Sequence, residues 1–313
     1  MIILSVVLGL AVLFFVVTLL VYRMAFYSPK KRKPVDPALL PPSEDFDYLR
    51  DTMKKLVEDI TDTPTELCRI KAYDGASLVG RYYHAADGAP LVLFFHGYRS
   101  QAIHDCVGAF HAFHGMGFNI LAVDERSHGE SDGTVITFGI RERHDAKSWA
   151  EFAEARFGVP IFLCGLSMGA ATVLMASDLD LPKSVVCIMA DCPFSSPKDI
   201  LVSVSHARHV PAFLSYPLLK LGAKIFGKFD LEEASAASSV ANSALPILLI
   251  HGKTDTFVPY SHSEKIYAAA PSHIRFESFP NADHGMSYFS DSCRYEKLFA
   301  EFTSECLSGR NNG

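Results

Sequence analysis

The stretch Pro160 to Ser177, PIFLCGLSMGAATVLMAS, constrains the rest of the chain more than any other. Ile161 to Cys164 is a short apolar run that reads as a buried strand, Gly165-Leu166-Ser167-Met168-Gly169 reads as a sharp turn, and the small and apolar residues beyond it suit a closely packed helix. A strand, a tight turn and a helix put Ser167 at an apex. Gly165 and Gly169 belong there because a Cβ two residues to either side would obstruct a crowded, strained turn. The hydroxyl is thereby held where another side chain can reach it.

The spacing G-x-S-x-G recurs at Gly129-Glu130-Ser131-Asp132-Gly133, but in the polar segment ERSHGESDG, with no strand directly before it and no helix-forming run directly after. Context selects Ser167. A serine becomes a nucleophile near neutral pH only beside a base, and the base needs an acid to hold its tautomer and support the imidazolium. His284 and Asp255 fit these roles. The three stand in the order nucleophile, acid, base, each just beyond a predicted strand, where an open α/β sheet gathers its functional groups. Asp191 also follows a strand and competes as the acid, whereas Asp283 adjoins the base but points to the opposite side if its loop is extended. The backbone amides of Tyr98 and Met168 are placed to donate to a developing oxyanion. Gly97 permits close approach, and His96, at the mouth of its strand, shapes the loop by hydrogen bonding, as does His251.

Around this centre the pattern alternates between strands and helices. Glu66 to Tyr73 and Ser77 to His84 flank Asp74-Gly75 and read as an antiparallel hairpin. Pro90 to Phe95, Asn119 to Val123, Ser184 to Ala190, Pro246 to Ile250 and Ile274 to Phe279 read as strands, separated by predicted helices over 101–116, 139–157 and 261–270 and closed by one over 292–307. The pattern implies a mostly parallel central sheet with helices on both faces. Between Asp191 and Pro246 the excursion is longer than an ordinary crossover and includes the apolar run Val210 to Phe226, which reads either as a cap over the site, around 193–245, or as helices packed on the sheet.

The net charge of −6 and the lack of a long basic stripe argue against a nucleic-acid partner. Thirteen histidines include no HExxH, and His104, His111 and His114 lack a fourth ligand or a zinc-type spacing, so no metal is expected. The seven cysteines are scattered, which suits small buried hydrophobes and a reducing compartment.

Ile2 to Tyr22 is uncharged and almost wholly apolar, and as a helix it reaches about 31 Å, enough to cross a bilayer core. No cationic residue precedes it and no A-x-A-like cleavage site follows, so it reads as an uncleaved single-pass anchor, 1–22, in preference to a removed signal peptide. Arg23, Lys30, Lys31, Arg32 and Lys33 follow it, which by the positive-inside rule puts the rest of the chain in the cytoplasm, the extracytoplasmic side being the alternative. Residues 23–45 read as a Pro-rich basic tether, 46–62 as an amphipathic helix and 63–313 as the folded domain.

With His96-Gly97, Asp124 to Gly133, Gly165 to Gly169, Asp255 and His284 in place, the chain from about Leu67 to Leu307 resembles the α/β-hydrolases, near the membrane-anchored bacterial members of the esterase and serine-peptidase branches. The resemblance implies the α/β-hydrolase fold, and a structural loop formed by Asp124, Arg126, His128, Gly129 and Ser131 in a D-x-R-x-H-G-x-S pattern. Ser127 stands where that pattern usually has glycine. The expected function is hydrolysis of a carboxylic ester through an acyl-enzyme, with no metal or organic cofactor. The anchor and the 210–226 run point to a lipid or acyl ester. A serine peptidase, an acyltransferase or a thioesterase would use the same residues, and a non-catalytic membrane-tethered binding protein is the reading from a different class.

Overall fold

The structure is a computed structural model and describes residues 2–29 and 48–310, so the proline-rich basic stretch at 30–47 lies outside the described residues. A hairpin opens the domain. Strands β1 (Glu66–Lys71) and β2 (Ser77–Tyr83) pair antiparallel across Asp74-Gly75, where Gly75 takes φ +86°. β2 then pairs antiparallel with β4 (Asn119–Asp124). All remaining pairings are parallel and involve β3 (Leu91–Phe95), β5 (Ile161–Leu166), β6 (Val185–Asp191), β7 (Ile247–Gly252) and β8 (Ile274–Phe279), giving the order β1-β2-β4-β3-β5-β6-β7-β8. Every residue of β3, β4 and β7 is buried, as expected of parallel strands covered on both sides.

Two apolar layers flank the sheet. On one side lie α5 (Glu142–Phe157), α6 (Met168–Ala176) and α10 (Ser261–Ala269). On the other, α2 (Arg50–Asp62), α3 (Ala102–Asp105), α4 (Val107–His114), α11 (Ser287–Ser290) and α12 (Ser292–Arg310) pack on the opposite face. The predicted helix over 101–116 is therefore two. It breaks where Asp105 turns its carboxylate onto the Gly97 amide and the Ser100 hydroxyl. The helix predicted from 139 starts at Glu142, because that carboxylate accepts the amides of Thr137 and Gly139 at 2.8 and 2.9 Å and holds 137–141 as a turn.

The 193–245 excursion contains α7 (Pro197–Ala207), α8 (Ala212–Gly222), a π-helical turn (Ala223–Gly227) and α9 (Ala236–Ala241). Ser196 and Ser235 cap α7 and α9 through the amides of Asp199 and Ser238. The N-terminal α1 (Ile2–Ala25) lies against α8 and the π-helical turn, burying Thr18 and Tyr22, while its first sixteen residues, Ile2 to Val17, are exposed.

Candidate active site

Ser167 sits between β5 and α6 with φ +55° and ψ −112°, a conformation that a residue with a side chain adopts only when its surroundings impose it. The surroundings are close. A Cβ on Gly169 would run into the carbonyl of Phe95, and one on Gly165 into the backbone of Gly169, so both positions require glycine. The Ser167 amide donates to the carbonyl of Asp191 at 2.9 Å, tying the turn to the next strand.

Ser167 Oγ lies 2.9 Å from Nε2 of His284, whose Nδ1 lies 2.8 Å from Oδ2 of Asp255. With Asp255 ionised, Nδ1 donates to it and Nε2 is left to accept the serine proton. The sheet brings together three residues from the loops after β5, β7 and β8. Asp255 Oδ1 accepts the amides of Phe257 and Val258 at 2.9 and 2.7 Å, and His251 Nε2 lies 3.2 Å from Oδ2. Burial would raise this carboxyl, but the two histidines hold it well below the usual carboxylate range. For His284 burial acts in the opposite sense, and the bonded Asp255 carboxylate outweighs it, so the ring titrates above an ordinary histidine.

The competing acids are engaged elsewhere. Asp191 accepts the Ser287 hydroxyl at 2.9 Å, and burial pushes it up to about 6. Asp283 accepts the amides of Thr256 and His284 at 2.7 and 2.8 Å and pins the two loops together. His96 Nε2 accepts the Glu125 amide at 3.0 Å.

On the far side of Ser167, the Gly97 amide donates to Asp105 Oδ2 at 2.6 Å. The Gly97 amide is thereby taken, and the Met168 amide, as the first N–H of α6, has no acceptor within the helix. Asp105 carried no signal in the sequence. Burial would raise it, yet its bonds to His104 and Ser100 keep it at about 2 and so ionised on the Gly97 amide.

A cavity of about 440 Å³ opens at Ser167 and His284. Its walls are mostly apolar and include Met53, Val107, Leu166, Phe257, Tyr288 and Phe289. No residue between 193 and 245 lines it, so the apolar 210–226 run does not form its wall. Among the described residues, one group has metal-ligand chemistry, namely Cys192, Asp255 and His284, and two of these three already share a hydrogen bond. Burial pushes the Cys192 thiol well up, so it stays neutral beside them.

The second G-x-S-x-G is structural. Ser131 Oγ donates to the Asp124 carbonyl at 2.6 Å and accepts the Val79 amide at 2.9 Å. Arg126 bonds Asp145 through two nitrogens and reaches Asp74, fastening this loop to α5 and to the hairpin. Ser127 takes φ +65°, which accounts for the usual glycine there, and its hydroxyl offsets some of the strain by donating to the Val135 carbonyl at 2.9 Å.

An arrangement of this kind can pass a hydroxyl proton to an imidazole while the oxygen attacks a carbonyl. Comparison with known proteins agrees with a hydrolase. The model of the prolyl oligopeptidase family (Peptidase_S9) matches residues 141–310. The chain is 27% identical to Bacillus subtilis YqkD over 225 residues, 70% of this chain and 73% of that one. It is 25% identical to the Danio rerio lysophosphatidylserine lipase ABHD12 over 58% of this chain and 47% of that protein, about half the lipase's length. The Pyrococcus furiosus esterase Pf2001 superposes with a TM-score of 0.65 at 19% identity, over 90% of this chain and 99% of the esterase, and shares its fold. With the family model covering more than half of its residues, the chain belongs to the prolyl oligopeptidase family and has the α/β-hydrolase fold.

Proposed function

We propose that the protein is a serine hydrolase that cleaves carboxylic esters, with a single acyl chain of the substrate held in the cavity beside Ser167. One observation carries the reading: an unbroken hydrogen-bonded line from Ser167 through His284 to Asp255 at the mouth of an apolar cavity. Ser167 attacks the ester carbonyl, and His284 takes its proton and delivers it to the leaving alcohol. Asp255 fixes the ring, the amides of Tyr98 and Met168 hold the oxyanion, and water, activated by His284, then releases the acid. The apolar walls favour an acyl substituent over a peptide, whose backbone would bring polar groups into the cavity without partners. The lipase relative favours the same choice.

α1 is read here as an uncleaved anchor with the domain on the cytoplasmic side. Thr18, Tyr22 and the following Phe26 are buried against the domain, and cleavage that removed them would leave a gap in the core. The basic residues after the helix set the orientation.

The full-length chain in detergent should hydrolyse p-nitrophenyl esters, with kcat/KM rising with acyl length until the cavity is filled, and Ser167→Ala should abolish turnover. Turnover of an aminoacyl anilide in preference to every ester would overturn the ester reading in favour of a peptidase. No turnover of either would favour the non-catalytic reading.

A further inference from the structure

The part of α1 that stands clear of the domain is shorter than a bilayer core is thick. Its exposed part, Ile2 to Val17, reaches about 24 Å as a helix, whereas a bilayer's hydrocarbon core is about 30 Å thick. The residues that complete the span, from Thr18 on, are those packed on the domain. A Cβ at Gly222 would come 3.0 Å from Tyr22 Cβ and 3.3 Å from the Thr18 carbonyl oxygen. The Phe226 ring lies 5.3 Å from Phe15 and 5.4 Å from Tyr22. If α1 spans the membrane, the end of α8 and the π-helical turn are therefore carried to the depth of the acyl chains.

The surface presented there is suited to lipid. Phe213, Leu214 and Ile225 are 76%, 55% and 48% exposed, on the two elements that pack against α1. Scattered apolar residues on a protein surface need no explanation, but large ones exposed on elements packed against a membrane helix do. The inner side of α8 is committed to the domain: Leu219 is buried in its core, Tyr216 packs beside it and donates to Glu232 at 2.9 Å, and Ser215 donates to Ser205 at 2.8 Å. From Ile200 to Phe229 there is no Asp or Glu; Lys220 pairs with Glu232 beyond the segment, whereas Arg208, Lys224 and Lys228 have no acidic partner among the described residues. Lysines beside apolar side chains can run their stems along the acyl region and leave their ammonium groups among anionic headgroups.

We propose that α8 and the π-helical turn form a second membrane-contacting element. It lies in the plane of the bilayer against α1, with Phe213, Leu214 and Ile225 among the acyl chains of an anionic leaflet. This rests on the reading of α1 as a span, and it gives the 210–226 run its role: the run seats the domain on the membrane that holds its anchor.

Tryptophan quenching in the full-length chain tests it, because the one native tryptophan, Trp149, is buried and gives a constant background. Variants Leu10→Trp in α1, Phe213→Trp, Ile225→Trp, and Met116→Trp beyond α4 are reconstituted in phosphatidylcholine and phosphatidylglycerol vesicles with and without brominated acyl chains. Emission from Leu10→Trp, Phe213→Trp and Ile225→Trp should fall at least twofold on brominated lipid, and that from Met116→Trp should not change. Quenching of Leu10→Trp alone would leave the anchor standing and overturn the α8 proposal, and crosslinking between copies of Phe213→Cys would then assign the face to a second copy. Absence of quenching at Leu10→Trp would overturn both readings.

Discussion

In the proposed mechanism the chemistry turns on His284, and its surroundings set the pH at which it would work. Burial disfavours its charged form, the Asp255 carboxylate at 2.8 Å favours it, and the carboxylate prevails. A general base must be neutral to accept a proton. Raising its pKa therefore moves the acid limb of the rate profile upward, so activity is absent when the ring is charged and appears as pH rises through the folded-state value. The midpoint of the acid limb of kcat/KM is expected above the ordinary histidine value of about 6.5. Asp255→Asn should lower kcat by about three to four orders of magnitude, because an amide cannot hold the ring in the required tautomer. A midpoint at or below the ordinary value, or a mild effect of Asp255→Asn, would mean that the two groups are not coupled as drawn.

Among the elements, the loop after β4 joins the most pieces. Arg126 there bridges Asp145 on α5 and Asp74 in the hairpin. Removing the cation leaves Asp145 buried with its charge unmatched, and breaking a buried pair from one side costs about 3–5 kcal/mol. Arg126→Met should lower the urea midpoint accordingly without changing KM, since this side chain is not among those lining the cavity. The elements were unequally legible. Strands β3 to β7 announced themselves as short apolar runs because both their faces are largely buried, and the hairpin through Asp74-Gly75; β8, IRFESF, is only partly buried. α7 and α9 did not: their signals are single serine caps inside an excursion dominated by the apolar run of α8. Ser167, Asp255 and His284 were legible because each lies in a loop at the C-terminal end of a strand. Met53, Val107 and Tyr288 were not, because the cavity wall they share is made by three helices far apart in sequence, whose meeting depends on packing that no local pattern encodes. The 210–226 run, read as a cap or as helices packed on the sheet, lies against α1 and lines no part of the cavity at Ser167.

Over the whole molecule, the two apolar layers divide the labour. One layer, with α5, α6 and the excursion, meets α1 and carries the proposed contact with the membrane, while the other, with α2, α4 and α12, lies on the side of the sheet where the cavity opens. The sheet between them delivers Ser167, Asp255 and His284 to one end, and on that convergence the proposed function depends. Fluorophosphonate labelling of the full-length chain, with the adduct mapped by mass spectrometry, measures whether it activates the serine. The account predicts one adduct per chain on the peptide carrying Ser167, and none in Ser167→Ala. An unlabelled chain, or an adduct at Ser131 in place of Ser167, would contradict it.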